Sequence, residues 1–283
     1  MKARATTENN HEQYQWAAED PEFLECFMEH GFVIGKKVFP VDLIKQVFEF
    51  CSSRYCRYKE DFIKRNPSHA IPWVGITRKI CEELERDPLY QEMYRTPLLL
   101  GALEKFLGPD LSKINATGFF PVDPANQSSP IVKAMHQEIW TGGSIDDINS
   151  WIPLHDTLVQ NTLAVIPGSH FFGMLPNRNR EVILPENFDL PDAIPLSLGS
   201  GDIVLFHSLT LHGTAGFHSA DIRYAIQLIF RNTNSPMTAQ QRGWGFVNLK
   251  QGVLARIKHV LGNELLTPLR TYGGKRSNYE EYY

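Results

Sequence analysis

Six short apolar runs fill the middle of this chain, and they constrain its fold more than any other feature. They are INATGFFPV (114–122), IVKAMHQEIW (131–140), INSWIPLHD (148–156), TLAVIPGSH (162–170), DIVLFHSLTLHG (202–213) and RYAIQLIFRN (223–232). Glycine, proline, asparagine or aspartate punctuates each one. Runs of this length and spacing read as the strands of a barrel or sandwich. The first hundred residues have a different texture. EFLECFMEHG (22–31) carries apolar residues at helical spacing and stops at Gly31, a helix-ending residue. An amphipathic helix is expected from Val41 to Phe50 behind Pro40, and another from Pro97 to Leu107. GFVIG (31–35) reads as a short strand, and Gln240–Leu261 returns to helix-like spacing. No repeat or low-complexity linker separates these regions. The expectation is one domain over residues 1–283, mainly β with flanking α-helices. Helical support spans 1–111, an antiparallel barrel core about 112–232, and a C-terminal helical segment 233–283. The tail GGKRSNYEEYY, with Tyr279, Tyr282 and Tyr283, is expected to be disordered.

Composition removes several function classes. Hydrophobic residues make up 42% and charged residues 21% of the chain, which excludes a disordered protein. The formal net charge of −4 offers no basic field for nucleic acid or an anionic membrane. Cys26, Cys51, Cys56 and Cys81 match no zinc spacing and read as reduced structural thiols. The N-terminus has no apolar secretory stretch. The longest uncharged run, Thr157–Asn177, is too polar and broken to span a bilayer. A cytoplasmic protein is expected.

Ten histidines are present, and their neighbours matter more than their number. In a strand over 131–140, His136 and Glu138 project to one face because residues i and i+2 do so. Gln137 then points the other way, toward hydrogen bonds within the sheet. One imidazole and one carboxylate form half of a divalent-metal site, and a 2-His-1-carboxylate triad needs a second histidine from a distant strand. A lone H-x-E is weak evidence. A second feature is GDIVLFH (201–207) followed by LHGT (211–214), with Arg223 eleven residues after His212. An arginine opening a core strand suits a bidentate carboxylate, the alternative being a surface arginine at a strand end.

HQEIW (136–140), WIPLHD (151–156), NTLAVIPGSH (161–170), GDIVLFHSLTLHG (201–213) and Arg223 together resemble the phytanoyl-CoA dioxygenase (PhyH)-like family of Fe(II)/2-oxoglutarate-dependent oxygenases. The likeness covers roughly residues 112–232 and is weaker in the helical third. It implies a double-stranded β-helix, the jelly-roll or cupin-like barrel. Carried over by position, His136, Glu138 and His212 are the implied iron ligands and catalytic centre. Arg223 and Thr214 are the implied holders of the far carboxylate of the 2-oxoglutarate cosubstrate, with O2 as the oxidant. The implied reaction oxidises, most simply hydroxylates, an unactivated C–H bond of a small molecule, with release of succinate and CO2. Natural-product or small-metabolite biosynthesis is the expected setting. The family usually has His-x-Asp. Glu138 is one methylene longer but keeps the charge and oxygen donor, which argues against halogenation.

Further assignments rest on neighbourhood. Asn115 is a candidate 2-oxoglutarate contact. Trp140, Phe119 and Arg178 are candidate substrate contacts, with packing or a solvated loop as their alternatives. His207 is the rival to His212 as distal ligand, and His170 is expected to make a structural hydrogen bond. Desaturation, cyclisation or epimerisation at the same centre, a non-catalytic jelly-roll binding protein, and a zinc hydrolase on a cupin-like barrel are the competing readings. No residue selects a substrate or an oligomeric state.

Overall fold

The computed structural model describes residues 12–257, apart from 116, 124–133, 158, 160, 185, 187, 216–220, 235–245 and 254–255. The expected tail, His11, His218 and His259 lie outside the described residues. The named helices among the described residues are α1 Glu22–His30, α2 Val41–Arg65, α3 Trp73–Leu84, α4 Pro88–Tyr94 and α5 Pro97–Leu107. The strands are β1 Gln15–Trp16, β2 Phe32–Gly35, β3 Leu111–Ile114, β4 Gly118–Phe119, β5 Ile148–Pro153 and β6 Thr162–Val165. They continue with β7 Asn177–Arg178, β8 Glu181–Val182, β9 Ile194–Pro195, β10 Ile203–His207, β11 His212–Ala215, β12 Ala225–Asn232 and β13 Phe246–Lys250. Among the described residues, no helix is long and apolar enough to cross a membrane.

The large sheet runs β1-β2-β10-β5-β12-β3-β13, with β4 also paired to β12. A smaller sheet runs β11-β6-β9, and β7 and β8 form a separate hairpin. The architecture is mainly β with helices outside, as expected, but its limits differ. β1 and β2 come from the helical third: Phe32 to Gly35 pair with Phe206 to Ile203 of β10. At the other end, helix-like spacing in 240–261 gives way at Phe246–Lys250 to a strand paired with β3. That segment's apolar residues recur often enough to suit either period, and the open edge of β3 decides in favour of strand.

Strand pairing explains why the runs look continuous rather than alternating. Gln227 stands opposite Trp151, and Trp151 opposite Val204, so these residues share a face. On the other face, Ile226, Leu228 and Phe230 of β12 and Leu205 of β10 are buried as well. α5 packs on β12 and β3, α1 on β2 and β10, and α3 on β4. A sheet covered on one face by helices and on the other by its own interior loses the polar-out half of the pattern.

The GSGD turn before β10 owes its aspartate to hydrogen bonding. Asp202 is buried and accepts from the Gly199 N–H at 2.8 Å and the Lys37 N–H at 3.0 Å, and it pairs with Lys36. One carboxylate thus closes its own turn and fastens the end of β2. α1 ends, as expected, at Gly31, whose φ of 77° is left-handed. A Cβ there would fall 2.4 Å from His170 Nδ1 and 2.6 Å from Thr210 Oγ1. Gly31→Ala should therefore cost about 1–3 kcal/mol. Gly101→Ala, in the middle of α5 with nothing within 4 Å of the new methyl, should gain about 0.5–1 kcal/mol. Urea unfolding of both variants measures the contrast, and equal effects would refute the structural account of Gly31.

Candidate metal centre and anion pocket

His136 reaches the site through a bridge rather than an extended strand. Within the described part of 131–140, His136 forms an isolated antiparallel bridge with His212, and Glu138–Thr141 is a 3-10 turn. Between His136 and the turn, Gln137 is extended, at φ −113° and ψ 138°. That one residue suffices to send His136 and Glu138 to the same side. The bridge itself has two backbone bonds: His136 N–H to His212 O at 2.9 Å and His212 N–H to His136 O at 3.1 Å. Gly213 makes this approach possible, since a Cβ there would lie 3.0 Å from the Ala134 carbonyl carbon.

Gln137 fixes the turn from the opposite side. Its fully buried amide donates to Leu209 O at 2.7 Å and Gly173 O at 2.9 Å, and its carbonyl accepts from Leu175 N–H at 2.9 Å. Trp140 lies on the 3-10 turn, and its indole N–H donates to Leu175 O at 2.9 Å. Trp140 therefore clamps the 173–175 segment instead of continuing the His136–Glu138 face.

The three side chains converge. Glu138 Oε1 lies 3.4 Å from His136 Nε2 and 3.4 Å from His212 Nε2. One ligand atom from each residue falls within 4.8 Å of the others, and all three residues are buried. His136 Nδ1 is 2.8 Å from Ala134 O, and His212 Nδ1 is 2.9 Å from Thr210 O. A carbonyl can only accept, so each Nδ1 carries the proton and each Nε2 presents its lone pair to the shared centre. Two imidazole nitrogens and a carboxylate, with the other directions left to solvent and small molecules, fit a non-haem Fe(II) ion.

These side chains line a cavity open to solvent, about 360 Å³ of empty space with its mouth included, that both sheets enclose. Trp151, Phe206 and Gln227 come from the large sheet, Leu163, His212 and Thr214 from the small one, and Phe120 follows β4. Arg223 also lines it. Its guanidinium is buried, and among the described residues its Nε and Nη1 have no hydrogen-bond partner. The group lies 5.1 Å over the Trp151 ring. Burial alone pushes its pKa down to about 9. A guanidinium stripped of water without an anion costs several kcal/mol, and a bidentate carboxylate is the ligand that its planar fork matches.

The other sequence candidates are placed elsewhere. Asn115 is exposed at the bend after β3 and is not among the cavity-lining residues. Phe119 is buried in the core, stacked on Tyr224 with ring centroids 6.0 Å apart. Its neighbour Phe120 takes the place in the cavity, because alternation sends adjacent residues to opposite faces. Arg178 is exposed on the β7–β8 hairpin. His170 Nε2 meets Met28 O at 3.1 Å. His207 is outside the cavity lining: its Nδ1 accepts the Leu209 N–H at 3.1 Å, and its ring lies 5.6 Å from that of His170. The sequence reading also passed over Gln227 and Phe120. Gln227 carried a signal, being the one polar residue inside the apolar run AIQLIF, in phase with Arg223.

Burial, with His170 beside it, holds the His207 pKa down at about 4. Between the ordinary histidine value of about 6.5 and this value, the unfolded chain takes up a proton that the folded chain refuses. The contribution is present above that range and lost as pH falls through it. His207→Gln should flatten the fall in unfolding free energy between pH 6.5 and 4. A slope equal to the wild type's would show that His207 titrates alike in both states.

Comparison with known proteins supplies the family. No curated protein matches the chain. Solved structures do: a non-heme monooxygenase, ThoJ in its apo form, has a TM-score of 0.58 at 19% identity, covering 80% of this chain and 82% of that one. The epimerase SnoN, in complex with Fe3+, alpha ketoglutarate and nogalamycin RO, has a TM-score of 0.55 at 14% identity, with 76% and 85% covered. The carbocyclase SnoK from nogalamycin biosynthesis has a TM-score of 0.52 at 16% identity, with 79% and 88% covered. At these identities the likeness shows the fold, which is the jelly-roll architecture that the two sheets display. The family model for phytanoyl-CoA dioxygenase (PhyH) matches residues 27–225, a span that includes all three converging side chains and Arg223. The chain belongs to the phytanoyl-CoA dioxygenase family of non-haem iron, 2-oxoglutarate-dependent enzymes.

Proposed function

We propose that this protein is an Fe(II)- and 2-oxoglutarate-dependent oxygenase that hydroxylates a C–H bond of a small molecule. The observation that carries this reading is Arg223, a buried guanidinium with two nitrogens that have no hydrogen-bond partner among the described residues, in the same cavity as His136, Glu138 and His212. A zinc hydrolase needs the metal ligands but has no use for that cation. A purely structural barrel needs neither.

His136 and His212 hold the iron through Nε2 and Glu138 through its carboxylate. Bound iron, with 2-oxoglutarate and O2, supplies the oxidant: R–H, 2-oxoglutarate and O2 become R–OH, succinate and CO2. The chain's own residues do the positioning. The carbonyls of Ala134 and Thr210 keep both imidazoles in the metal-binding tautomer and orientation. Arg223 takes the far carboxylate of 2-oxoglutarate, and Thr214 offers a hydroxyl on the same wall. Trp151 shields the arginine from water, which strengthens the ion pair in a low-dielectric site. Phe120, Leu163 and Phe206 make the remaining walls apolar, so water is excluded while the C–H bond reacts.

A second outcome on the same centre is supported by the structural neighbours, which include an epimerase and a carbocyclase on this fold. Substrate hydrogen removal followed by something other than hydroxyl transfer gives those products. The products formed from a small-molecule library distinguish the outcomes.

Purified protein given Fe(II), ascorbate and 2-oxoglutarate should form succinate slowly even without substrate. Arg223→Met should raise the 2-oxoglutarate concentration for half-maximal rate by roughly 100-fold, the worth of about 3 kcal/mol for a lost charge-assisted contact. Its metal affinity should be unchanged. The same variant should stabilise the ligand-free protein by about 1–4 kcal/mol, because an apolar chain replaces a buried unpaired charge. An unaltered 2-oxoglutarate requirement would refute the role given to Arg223.

A further inference from the structure

Gln227 has a place in the fold that packing does not explain. It sits within β12 between Ile226 and Leu228, both fully buried, and is itself only 9% exposed. Burying a primary amide in an apolar strand is unfavourable unless its polar atoms are used. Its Nε2 donates to Glu138 Oε1 at 2.7 Å. That oxygen is the same one that lies 3.4 Å from both imidazole Nε2 atoms. The donor therefore addresses the oxygen at the focus of the three ligands.

The anchor behind the donor is rigid. Gln227 pairs with Trp151 of β5 on one side and with Gly118 of β4 on the other. A Cβ on Gly118 would lie 3.2 Å from Gln227 Cβ and 2.5 Å from the Phe120 ring, so the stem of the side chain is closely packed. Glu138, by contrast, starts a short 3-10 turn. Glutamate has one more rotatable bond than the aspartate usual at this position, and the terminal torsion of such a carboxylate is broad. A ligand with that freedom needs an outside contact to select one orientation.

We propose that Gln227 is a positioning residue for the metal centre. It selects the orientation in which Glu138 presents Oε1 to the site, and so steadies a carboxylate that has one more rotatable bond than an aspartate. The proposal rests on the metal-site reading above. Its reference point is the large sheet: Gln227 and Arg223 lie four residues apart on one face. β12 thus orients the carboxylate ligand, and the anion-binding cation stands in the bridge just before it.

Co(II) alone is the probe, added to the metal-free full-length protein and followed by visible absorption and isothermal titration. Gln227→Leu and Gln227→Met both remove the donor at similar volume, so either serves if the other does not fold. The expected result is Co(II) affinity about 10- to 100-fold weaker than wild type, with a changed Co(II) spectrum. Thermal unfolding of the metal-free variant should remain cooperative. In a Glu138→Asp background the shorter carboxylate no longer reaches Gln227. The same substitution should then change affinity by less than about 3-fold, a loss of coupling that a merely structural residue would not show. Unchanged affinity and spectrum in Gln227→Leu, with the wild type binding Co(II), overturns the role of Gln227. An equal loss in both backgrounds overturns it too. Failure of the wild type to bind Co(II) overturns the metal-site reading itself, and this inference with it.

Discussion

Two backbone hydrogen bonds between His136 and His212 hold the site together. They join a turn that belongs to neither sheet to the first residue of β11. Because both partners are themselves the converging imidazoles, the spacing of the two rings follows from peptide geometry, not from side-chain packing. Their centroids stand 4.3 Å apart. Everything nearby protects that approach. Gly213 removes the side chain that would push the turn away, and Gln137 ties the turn to Leu209, three residues before His212. The carbonyls of Ala134 and Thr210, each two residues before its histidine, orient the rings. Side chains placed on such a frame need little further ordering when a ligand arrives, which is the advantage of building a site on rigid elements.

The large sheet supplies the other constraint. With helices on one face and the cavity on the other, its strands have no solvent side on which to place polar residues. Gln227 on the inner face of β12 and Arg223 in the bridge just before that strand are therefore costly exceptions, and the cost differs in kind. Gln227 recovers its burial through a hydrogen bond to Glu138 that exists without any ligand. Among the described residues, two Arg223 nitrogens have no such recovery. The fold carries that deficit until an anion binds, so anion binding and folding stability are opposed at this position.

Much of this was legible in the sequence. His136 and Glu138 sit two residues apart, and the period-2 rule placed them on one side even though Glu138 already opens a 3-10 turn. Gln137 supplies the extended geometry between them. Arg223 was legible because a cation inside an apolar strand is chemically conspicuous. β2 was read as a strand from GFVIG, but its membership in the large sheet was hidden. The pairing of Phe32–Gly35 with β10 spans about 170 residues of chain, and no local pattern encodes a partner that distant. β13 was misread as helix for the related reason that an edge partner, β3, settles an ambiguous period. Asn115 and Phe119 lie off the cavity by small displacements. Asn115 lies one residue beyond the end of β3, and Phe119 is one residue short of the cavity position that Phe120 fills. In a strand, an error of one residue exchanges the two faces.

Glu138 shows why site residues are poorly judged singly. Set beside the usual aspartate, the longer acid looks like a departure that weakens a metal site. The donor to its oxygen lies 89 residues away, as the one polar residue inside the apolar run AIQLIF. Seen together, the pair restores what the extra methylene takes away: the turn supplies reach, and the sheet supplies direction. A carboxylate held by a rigid strand also resists tilting toward either imidazole, both 3.4 Å distant. The departure and its compensation therefore belong to one design. Replacing Glu138 with aspartate alone would shorten the ligand and strand the Gln227 amide in an apolar wall.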